Sequence, residues 1–159
     1  MKRLLFTSSF LAIIAGFILV SGATWAIYFT YTNIALENIT TPEDASIPNT
    51  PVRGPLTLKA QADIIRIHAL RIAGGKTYAE MPRQIPKLDE KGNSVLDDKG
   101  NPVMTANTTR DIWVTATTLR TALHLAILTY AFSGFTLLFG LISIWTGVIF
   151  LALSKRKLK

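Results

Sequence analysis

The residues of this chain with the most potential for chemistry are its two histidines, His68 and His124. With the carboxylate of Asp63 or Glu80 they would complete the two-histidine, one-carboxylate set that binds iron in non-haem oxygenases. Such a site needs three ligands on rigid elements, and the spacing of these residues is not diagnostic. His68 is explained more simply as a polar residue beside an apolar helix stripe. We therefore expect no metal site and no cofactor.

Other catalytic motifs are missing from the sequence. It contains no nucleophile elbow, phosphate-binding glycine loop or zinc-helix motif. Gly74-Gly75-Lys76-Thr77 looks like the end of a phosphate-binding loop, but it follows a predicted helix instead of opening one. The chain has no cysteine, which excludes disulfides, thiolate metal sites and a catalytic thiol. We therefore expect a protein that is not an enzyme.

A group of polar residues is the best candidate for a specific contact surface. All of them lie within or after the predicted central helix, up to the outer end of the last helix. They are His68, Lys76, Tyr78, Glu80, Arg83 and Arg120. Each of them, taken singly, is also typical of a solvated loop.

The net charge of +7 is concentrated at the two ends of the chain. Lys2, Arg3, Arg120 and the residues at 155–157 and 159 supply all of it, because ten basic residues between Glu37 and Asp111 balance ten acidic ones. Lys and Arg stay on the cytoplasmic side of a membrane. This pattern predicts cytoplasmic termini and an extracytoplasmic central segment in the plasma membrane, and it gives no support to nucleic-acid binding.

Two uncharged apolar runs must position these groups. The second, Thr121–Ser154, is long enough for a transmembrane helix. Small residues recur along it at spacings of four and three, which keeps them on one helix face. They are Ala122, Ala126, Thr129, Ser133, Thr136, Gly140, Ser143 and Gly147. Because membrane helices associate by close approach at small residues, we expect this face to pack against another helix.

The first apolar run, Leu4–Leu36, predicts the other transmembrane helix. Its small residues follow the same rhythm, with Leu19 filling one gap: Ser8, Ala12, Ala15, Gly22 and Ala26. The two helices could pack on each other as an antiparallel hairpin, or each could pack on a partner subunit. A cleaved signal peptide, with Ser21 and Ala23 at the cleavage site, is the alternative. The apolar run continues past that point to Phe29, which favours a membrane helix.

The central segment, 37–110, lies between an N-terminal part (1–36) and a C-terminal part (111–159) that ends in a basic tail. Residues 39–55 hold four prolines and predict an extended linker. Residues 56–73 have an apolar stripe at four-three spacing, which predicts an amphipathic helix. This helix must lie against the two long helices, the membrane surface or another protein. The overall expectation is a mostly α membrane protein. Its two long transmembrane helices form an antiparallel hairpin, and its extracytoplasmic segment contains one amphipathic helix and a short turn or hairpin region.

A short internal repeat occupies residues 88–103. Leu-Asp-Glu-Lys-Gly-Asn-Ser-Val is followed by Leu-Asp-Asp-Lys-Gly-Asn-Pro-Val, and each copy has a turn-forming Asp-x-Lys-Gly-Asn between apolar residues. This predicts a β-turn or small hairpin in each copy. The acidic residues also invite a calcium-loop reading, but the alternating ligands of such a loop are absent.

Segments 60–70 (AQADIIRIHAL), 74–80 (GGKTYAE) and 115–120 (TATTLR) resemble a family of small two-helix membrane proteins of actinobacteria. The resemblance covers about a quarter of the chain, and the 88–103 repeat looks like an insertion in it. Members are often labelled aromatic ring-opening dioxygenases, although the soluble ring-opening enzymes have an iron site in a mixed α/β subunit unlike this chain. The resemblance implies an actinobacterial plasma membrane. In size and layout the chain is also similar to small accessory subunits of the actinobacterial cytochrome bc–oxidase supercomplex.

Three functional hypotheses follow from the sequence. The first is a non-enzymatic accessory or scaffold subunit of a larger membrane complex, with other integral membrane proteins and membrane lipids as partners. The second is an extracytoplasmic binding or sensing module that uses Lys76, Tyr78, Arg83 and Arg120. The third, with the weakest support, is a membrane-bound metal oxidoreductase that uses His68 and His124.

Overall fold

The computed structural model describes residues 2–155, and within them it contains three helices and one small sheet. In chain order these are α1 (Lys2–Leu36), α2 (Pro55–Ile72), β1 (Gln84–Pro86), β2 (Met104–Ala106) and α3 (Thr108–Lys155). The expectation of a mostly α protein is confirmed. Helices α1 and α3 are both long and apolar enough to cross a membrane.

The two long helices extend well beyond a bilayer core of about 30 Å. The 35 residues of α1 give a length of about 52 Å, and the 48 residues of α3 give about 72 Å, at 1.5 Å per residue. Neither contains proline, which would interrupt the helix. Helix α3 begins at Thr108, three residues before the predicted boundary at Asp111. The reason is Asn107, whose side-chain oxygen accepts a hydrogen bond from the backbone N–H of Thr109 (3.1 Å).

Helices α1 and α3 pack tightly, with the start of one against the end of the other. The buried residues of α1 are spaced by seven: Ser9, Gly16, Ala23 and Thr30. Ser133, Gly140 and Gly147 are their buried counterparts on α3. A Cβ atom built on Gly140 would lie 2.9 Å from the carbonyl oxygen of Gly16. The glycines therefore allow backbone-to-backbone approach that no larger residue would permit.

Most of the small residues predicted for helix packing lie at this interface. Ser133, Gly140 and Gly147 are buried, and Ala12, Ala26, Ala126 and Ser143 are half-buried. The Ser143 hydroxyl donates a hydrogen bond to the carbonyl oxygen of Ala12 (2.8 Å). This bond joins the two helices directly.

Ala15 and Gly22, by contrast, do not face α3. Both are exposed, and a Cβ atom on Gly22 would meet nothing within 4 Å. Gly16 and Ala23 do face α3, and each lies one position after Ala15 and Gly22, respectively. Helix α1 thus carries two adjacent small-residue stripes. Ala15 and Gly22, which were predicted to pack, lie on the stripe that faces away from α3.

The predicted linker between α1 and α2 is folded, not extended. Its two ends meet in an isolated bridge between Thr40 and Pro51. Thr41 also binds Thr50 through both backbone and side chain. Val52 is buried at 1% exposure in the small core of this region. The linker is therefore a compact loop despite its four prolines. Packing of its apolar residues against distant parts of the chain outweighs the preference of proline for an extended backbone.

Helix α2 begins at Pro55 and ends at Ile72, one residue earlier at each end than predicted. Proline is favoured in the first turn, where its missing N–H would have no partner anyway. After the helix, Gly74 and Gly75 adopt φ values of +60° and +80°, which reverse the chain. The buried stripe residues Leu58 and Ala62 pack in a core cluster that includes Leu123 of α3. Of the three environments considered for this helix, it lies against one of the long helices, α3.

Candidate contact surface

Residues 84–106 form a small lobe, here called the turn lobe. It is closed at its base by antiparallel pairing of β1 with β2, in the register Gln84 with Ala106 and Pro86 with Met104. The sequence repeat lies within it. The two copies adopt the same turn geometry, as the repeat predicts.

In the first copy, Asp89 organises the turn. Its Oδ1 accepts hydrogen bonds from the backbone N–H groups of Lys91 (2.9 Å) and Asn93 (2.8 Å). The bond from Asn93 lowers the pKa of the Asp89 carboxyl below its ordinary value. Gly92 supplies the positive φ of +83° that closes the turn. The acidic side chain is thus occupied by backbone donors, as in an Asx turn.

The second copy repeats these contacts almost identically. Asp97 Oδ1 accepts from the N–H groups of Lys99 (2.9 Å) and Asn101 (2.8 Å), and Gly100 has a φ of +79°. The bond from Asn101 lowers the pKa of Asp97. Both aspartates are therefore used in structure, which supports the turn interpretation over the calcium loop.

A ring of three backbone hydrogen bonds holds the turn lobe together. Lys87 N–H donates to Val103 (2.7 Å), Val103 N–H donates to Val95 (2.8 Å), and Val95 N–H donates to Lys87 (2.8 Å). These residues are spaced by eight, the period of the sequence repeat. The turn lobe is thus a pseudo-threefold arrangement of three chain segments, held mainly by main-chain bonds because its side chains are largely exposed.

Exposed apolar side chains occupy the same position in each segment of the ring. The residue after each ring residue is apolar: Leu88 after Lys87, Leu96 after Val95 and Met104 after Val103. Their side chains are 58%, 57% and 48% exposed, respectively. We call these three residues the apolar triad. Three large apolar side chains exposed at equivalent positions of so small a unit are the feature most typical of a protein contact in this region.

The turn lobe is anchored to the start of α3 by Asn107 and Arg110. The Asn107 side chain donates to the carbonyl oxygen of Pro82 (3.0 Å). The guanidinium of Arg110 donates to the carbonyl oxygens of Tyr78 (3.1 Å) and Met81 (2.5 Å). It also lies over the Tyr78 ring, 3.8 Å from the centroid. These contacts fix the segment before the turn lobe against α3.

Residues of the predicted polar cluster have separate partners within the fold. Tyr78 is paired with Arg110, whereas Arg120 donates from Nε to the carbonyl oxygen of Ala62 in α2 (3.1 Å). Glu80 accepts hydrogen bonds from the N–H (2.6 Å) and hydroxyl (2.7 Å) of Thr77. The bond from the Thr77 N–H lowers the pKa of Glu80. Three of the predicted residues thus make contacts within the fold.

The remaining two residues after α2, Lys76 and Arg83, are exposed. Lys76 lies at the turn that ends α2, where its N–H donates to Ala73. The backbone carbonyl of Arg83 accepts from the N–H of Asn107 (3.1 Å). Their charged side chains are free of ion pairs within residues 2–155.

His68 is bound to a residue that the sequence analysis did not single out. Its Nε2 lies 2.8 Å from Oδ2 of Asp44, and Arg71 approaches the same carboxylate at 3.9 Å. The hydrogen bond with His68 is the main reason that the pKa of Asp44 is lowered. This pair fastens the folded linker to α2.

An open, mostly apolar groove runs beside His68, between α2 and the start of α3. It has a volume of about 410 Å³. Its walls are Ile65, His68, Ala69 and Ile72 from α2, and Asp111, Ile112, Thr115 and Ala116 from α3. His124 is exposed on α3 and is absent from this lining. Within residues 2–155, no three His, Asp or Glu side chains cluster closely enough to hold a metal ion.

Sequence reasoning missed Arg110, Asn107, Asp44 and the apolar triad. Asn107 had a local signal, since Asn before a helical run is a preferred N-cap. The triad also had one, because the repeat places Leu at the same position of both copies. The partners of Arg110 and Asp44 lie 24 to 32 residues away along the chain. No local pattern predicts such contacts.

Comparison with known proteins gave no match: no protein-family model, curated protein or solved structure is similar to this chain.

Proposed function

We propose that this chain is a non-enzymatic accessory or scaffold subunit of a larger plasma-membrane complex. In this proposal α1 and α3 cross the membrane as an antiparallel hairpin. The basic residues at both ends of the chain favour cytoplasmic termini, which makes residues 37–110 extracytoplasmic. The close packing of Gly16 on Gly140 supports a hairpin that holds itself together without a partner.

The observation that carries the proposal is the exposed apolar triad of the turn lobe. The lobe joins α3 at its first residue, and residues 108–120 lie between it and the uncharged run. At 1.5 Å per residue this stretch is about 20 Å long. Side chains held that far beyond the lipid-facing part of α3 are more readily covered by another protein than by lipid. A contact through Leu88, Leu96 and Met104 would remove about half of each side chain from water.

Two other features offered by the sequence now support the proposal less. The small-residue stripe of α3 is used in packing against α1, and Leu58 and Ala62 of the α2 stripe are buried against α3 and the linker. Much of each face is thus covered within one chain. Outside the predicted membrane segments, exposed apolar side chains remain in the turn lobe and also on α2 and the start of α3, among them Ile72 and Val114. Those of the turn lobe are distinguished by recurring at equivalent positions of the three ring segments.

The resemblance to small actinobacterial membrane proteins supports an actinobacterial plasma membrane as the location. The similarity in size and layout to accessory subunits of the cytochrome bc–oxidase supercomplex makes that complex the first partner to test. Its haem groups provide a direct spectroscopic readout.

The test compares tagged full-length variants solubilised from native membranes in mild detergent. The triad variant carries Leu88→Asn, Leu96→Asn and Met104→Gln, and the matched control carries Lys91→Gln and Lys99→Gln in the same lobe. We expect wild type and control to co-migrate with the same membrane protein in stoichiometric amount, and the triad variant to lose it. Equal retention by all three proteins would remove the turn lobe as the contact.

A second candidate function is an extracytoplasmic binding module, which the groove between α2 and α3 favours. An apolar groove with the Asp111 carboxylate in its wall suits an amphiphile with a cationic or hydrogen-bonding group. Substituting Ala116 with Phe would fill the groove without touching the turn lobe. Under this alternative Ala116→Phe abolishes ligand binding and leaves any co-migrating partner in place.

A further inference from the structure

The cytoplasmic end predicted for the helix pair contains a groove that the accessory role does not use. It lies between the first turns of α1 and the last turn of α3 and has a volume of about 480 Å³. Its lining combines basic, hydroxyl and aromatic side chains: Lys2, Arg3, Phe6, Thr7, Ser154 and Lys155. Three cations thus converge on one groove from two different helices.

Among residues 2–155, these cations form no ion pair with a carboxylate. The sequence contains no Asp or Glu from residue 1 to 36 or from residue 112 to the end. Within the part of the chain that the structure describes, the ion pairs belong to Lys59, His68 and Arg71. The three positive charges repel one another across the groove, and an anion bound between them would be attracted to all three.

The other side chains of the groove limit which kind of anion can bind there. The hydroxyls of Thr7 and Ser154 donate to the backbone carbonyls of Arg3 (2.9 Å) and Leu151 (2.8 Å), so they are already used. The ligand is therefore recognised by charge. Phe6, 57% exposed, forms an apolar wall below the cations and continues into the uncharged helix surface. The site thus offers positive charge at one end and hydrocarbon contact at the other.

We propose that this groove binds one anionic phospholipid, with its phosphate between Lys2, Arg3 and Lys155 and an acyl chain along Phe6. Basic pockets between helices on the cytoplasmic side are suited to anionic headgroups. A zwitterionic headgroup brings its own cation into the groove and is disfavoured. A free phosphate gains nothing from the Phe6 wall. The inference rests on the membrane-spanning part of the proposed function and needs no partner protein.

The test is native mass spectrometry of the purified full chain with added phosphatidylglycerol, phosphatidylcholine or inorganic phosphate. We expect one saturable phosphatidylglycerol per chain. Each basic residue near an anionic headgroup contributes about fivefold, so Lys2→Gln with Lys155→Gln should weaken binding by about 30-fold. Arg66→Gln with Lys91→Gln, which changes the net charge equally outside the groove, should bind as wild type does.

Three results would overturn the proposal. One is equal binding of phosphatidylcholine, and another is retention of phosphatidylglycerol by the Lys2 and Lys155 variant. The third is displacement of the lipid by inorganic phosphate alone, which would make the groove a phosphate site. Co-migration with a partner is measured separately, so failure here leaves the accessory role standing. If the wild-type chain is absent from the membrane fraction, the lipid site and the accessory role both lose their shared premise, which is that α1 and α3 span a membrane.

Discussion

Replacing Gly140 with alanine tests the packing of the helix pair most directly. The new Cβ would lie 2.8 Å from Val20 Cγ2 and 2.9 Å from the carbonyl oxygen of Gly16, both well inside van der Waals contact. The backbone of Gly16 cannot rotate away, so α1 must move by about half an ångström, and overpacking of this kind costs about 1–3 kcal/mol. Alanine also favours the helix by about 1 kcal/mol over glycine, which partly masks that cost.

Gly134→Ala provides the matched control, because it changes the same residue type in the same helix. A Cβ atom at Gly134 would meet nothing within 4 Å, so this variant has the gain in helix propensity without the clash. Gly140→Ala should therefore be less stable than Gly134→Ala by about 1–3 kcal/mol, or roughly 3–10 °C in melting temperature. Gly16→Ala, whose Cβ would lie 2.6 Å from the Gly140 oxygen, should cost at least as much.

The assay is thermal unfolding of the purified proteins in mild detergent, followed by tryptophan fluorescence. Identical melting temperatures for Gly140→Ala and Gly134→Ala would refute the close approach of α1 and α3.

Three further predictions concern the segment between the long helices. Asn107→Ala removes the N-cap of α3 and should lower the free energy of unfolding by about 1 kcal/mol, whereas Asn107→Asp keeps the acceptor and should lose less in chemical denaturation. Gly100→Ala forces a residue with a Cβ atom into a φ of +79° and should destabilise the turn lobe by about 1 kcal/mol. Faster amide exchange at Val103, with unchanged exchange in α3, would show it. The hydrogen bond with His68 lowers the pKa of Asp44, so its stabilisation is complete above the ordinary value of 3.8 and is lost as pH falls through the lowered pKa. Asp44→Asn should flatten that part of a melting-temperature profile measured from about pH 5 down to about pH 2, and a steep acid limb equal to that of wild type would contradict the assignment.

The phase of the α1 interface shows where sequence reasoning reaches its limit. Ala15 and Gly22 are spaced by seven, and so are Gly16 and Ala23, one residue later. Both stripes suit a packed helix, so periodicity alone cannot choose between them. Which stripe packs depends on the facing helix α3, because the carbonyl group of Gly16 lies against Gly140, which has no side chain.

The turn lobe shows the same limit at a smaller scale. Its two turns follow from local chemistry, because Asp and Gly at fixed offsets determine the backbone path. The ring of Lys87, Val95 and Val103 joins residues that are distant in sequence. Its hydrogen bonds are between backbone atoms, so no side-chain pattern predicts them. The polar cluster shows a related limit, because Tyr78 and Arg120 contact residues that lie 32 and 58 positions away along the chain, which no local pattern predicts.

The most direct test of the accessory role is the native mass of the wild-type chain in its own membranes. Membranes are solubilised in several mild detergents, separated by native electrophoresis, and analysed by quantitative mass spectrometry and visible absorption. The accessory role predicts that the chain migrates with one set of membrane proteins in stoichiometric amount in every detergent. Haem absorption in that band would identify a respiratory complex. A chain that migrates alone or only with copies of itself in every detergent would contradict the account.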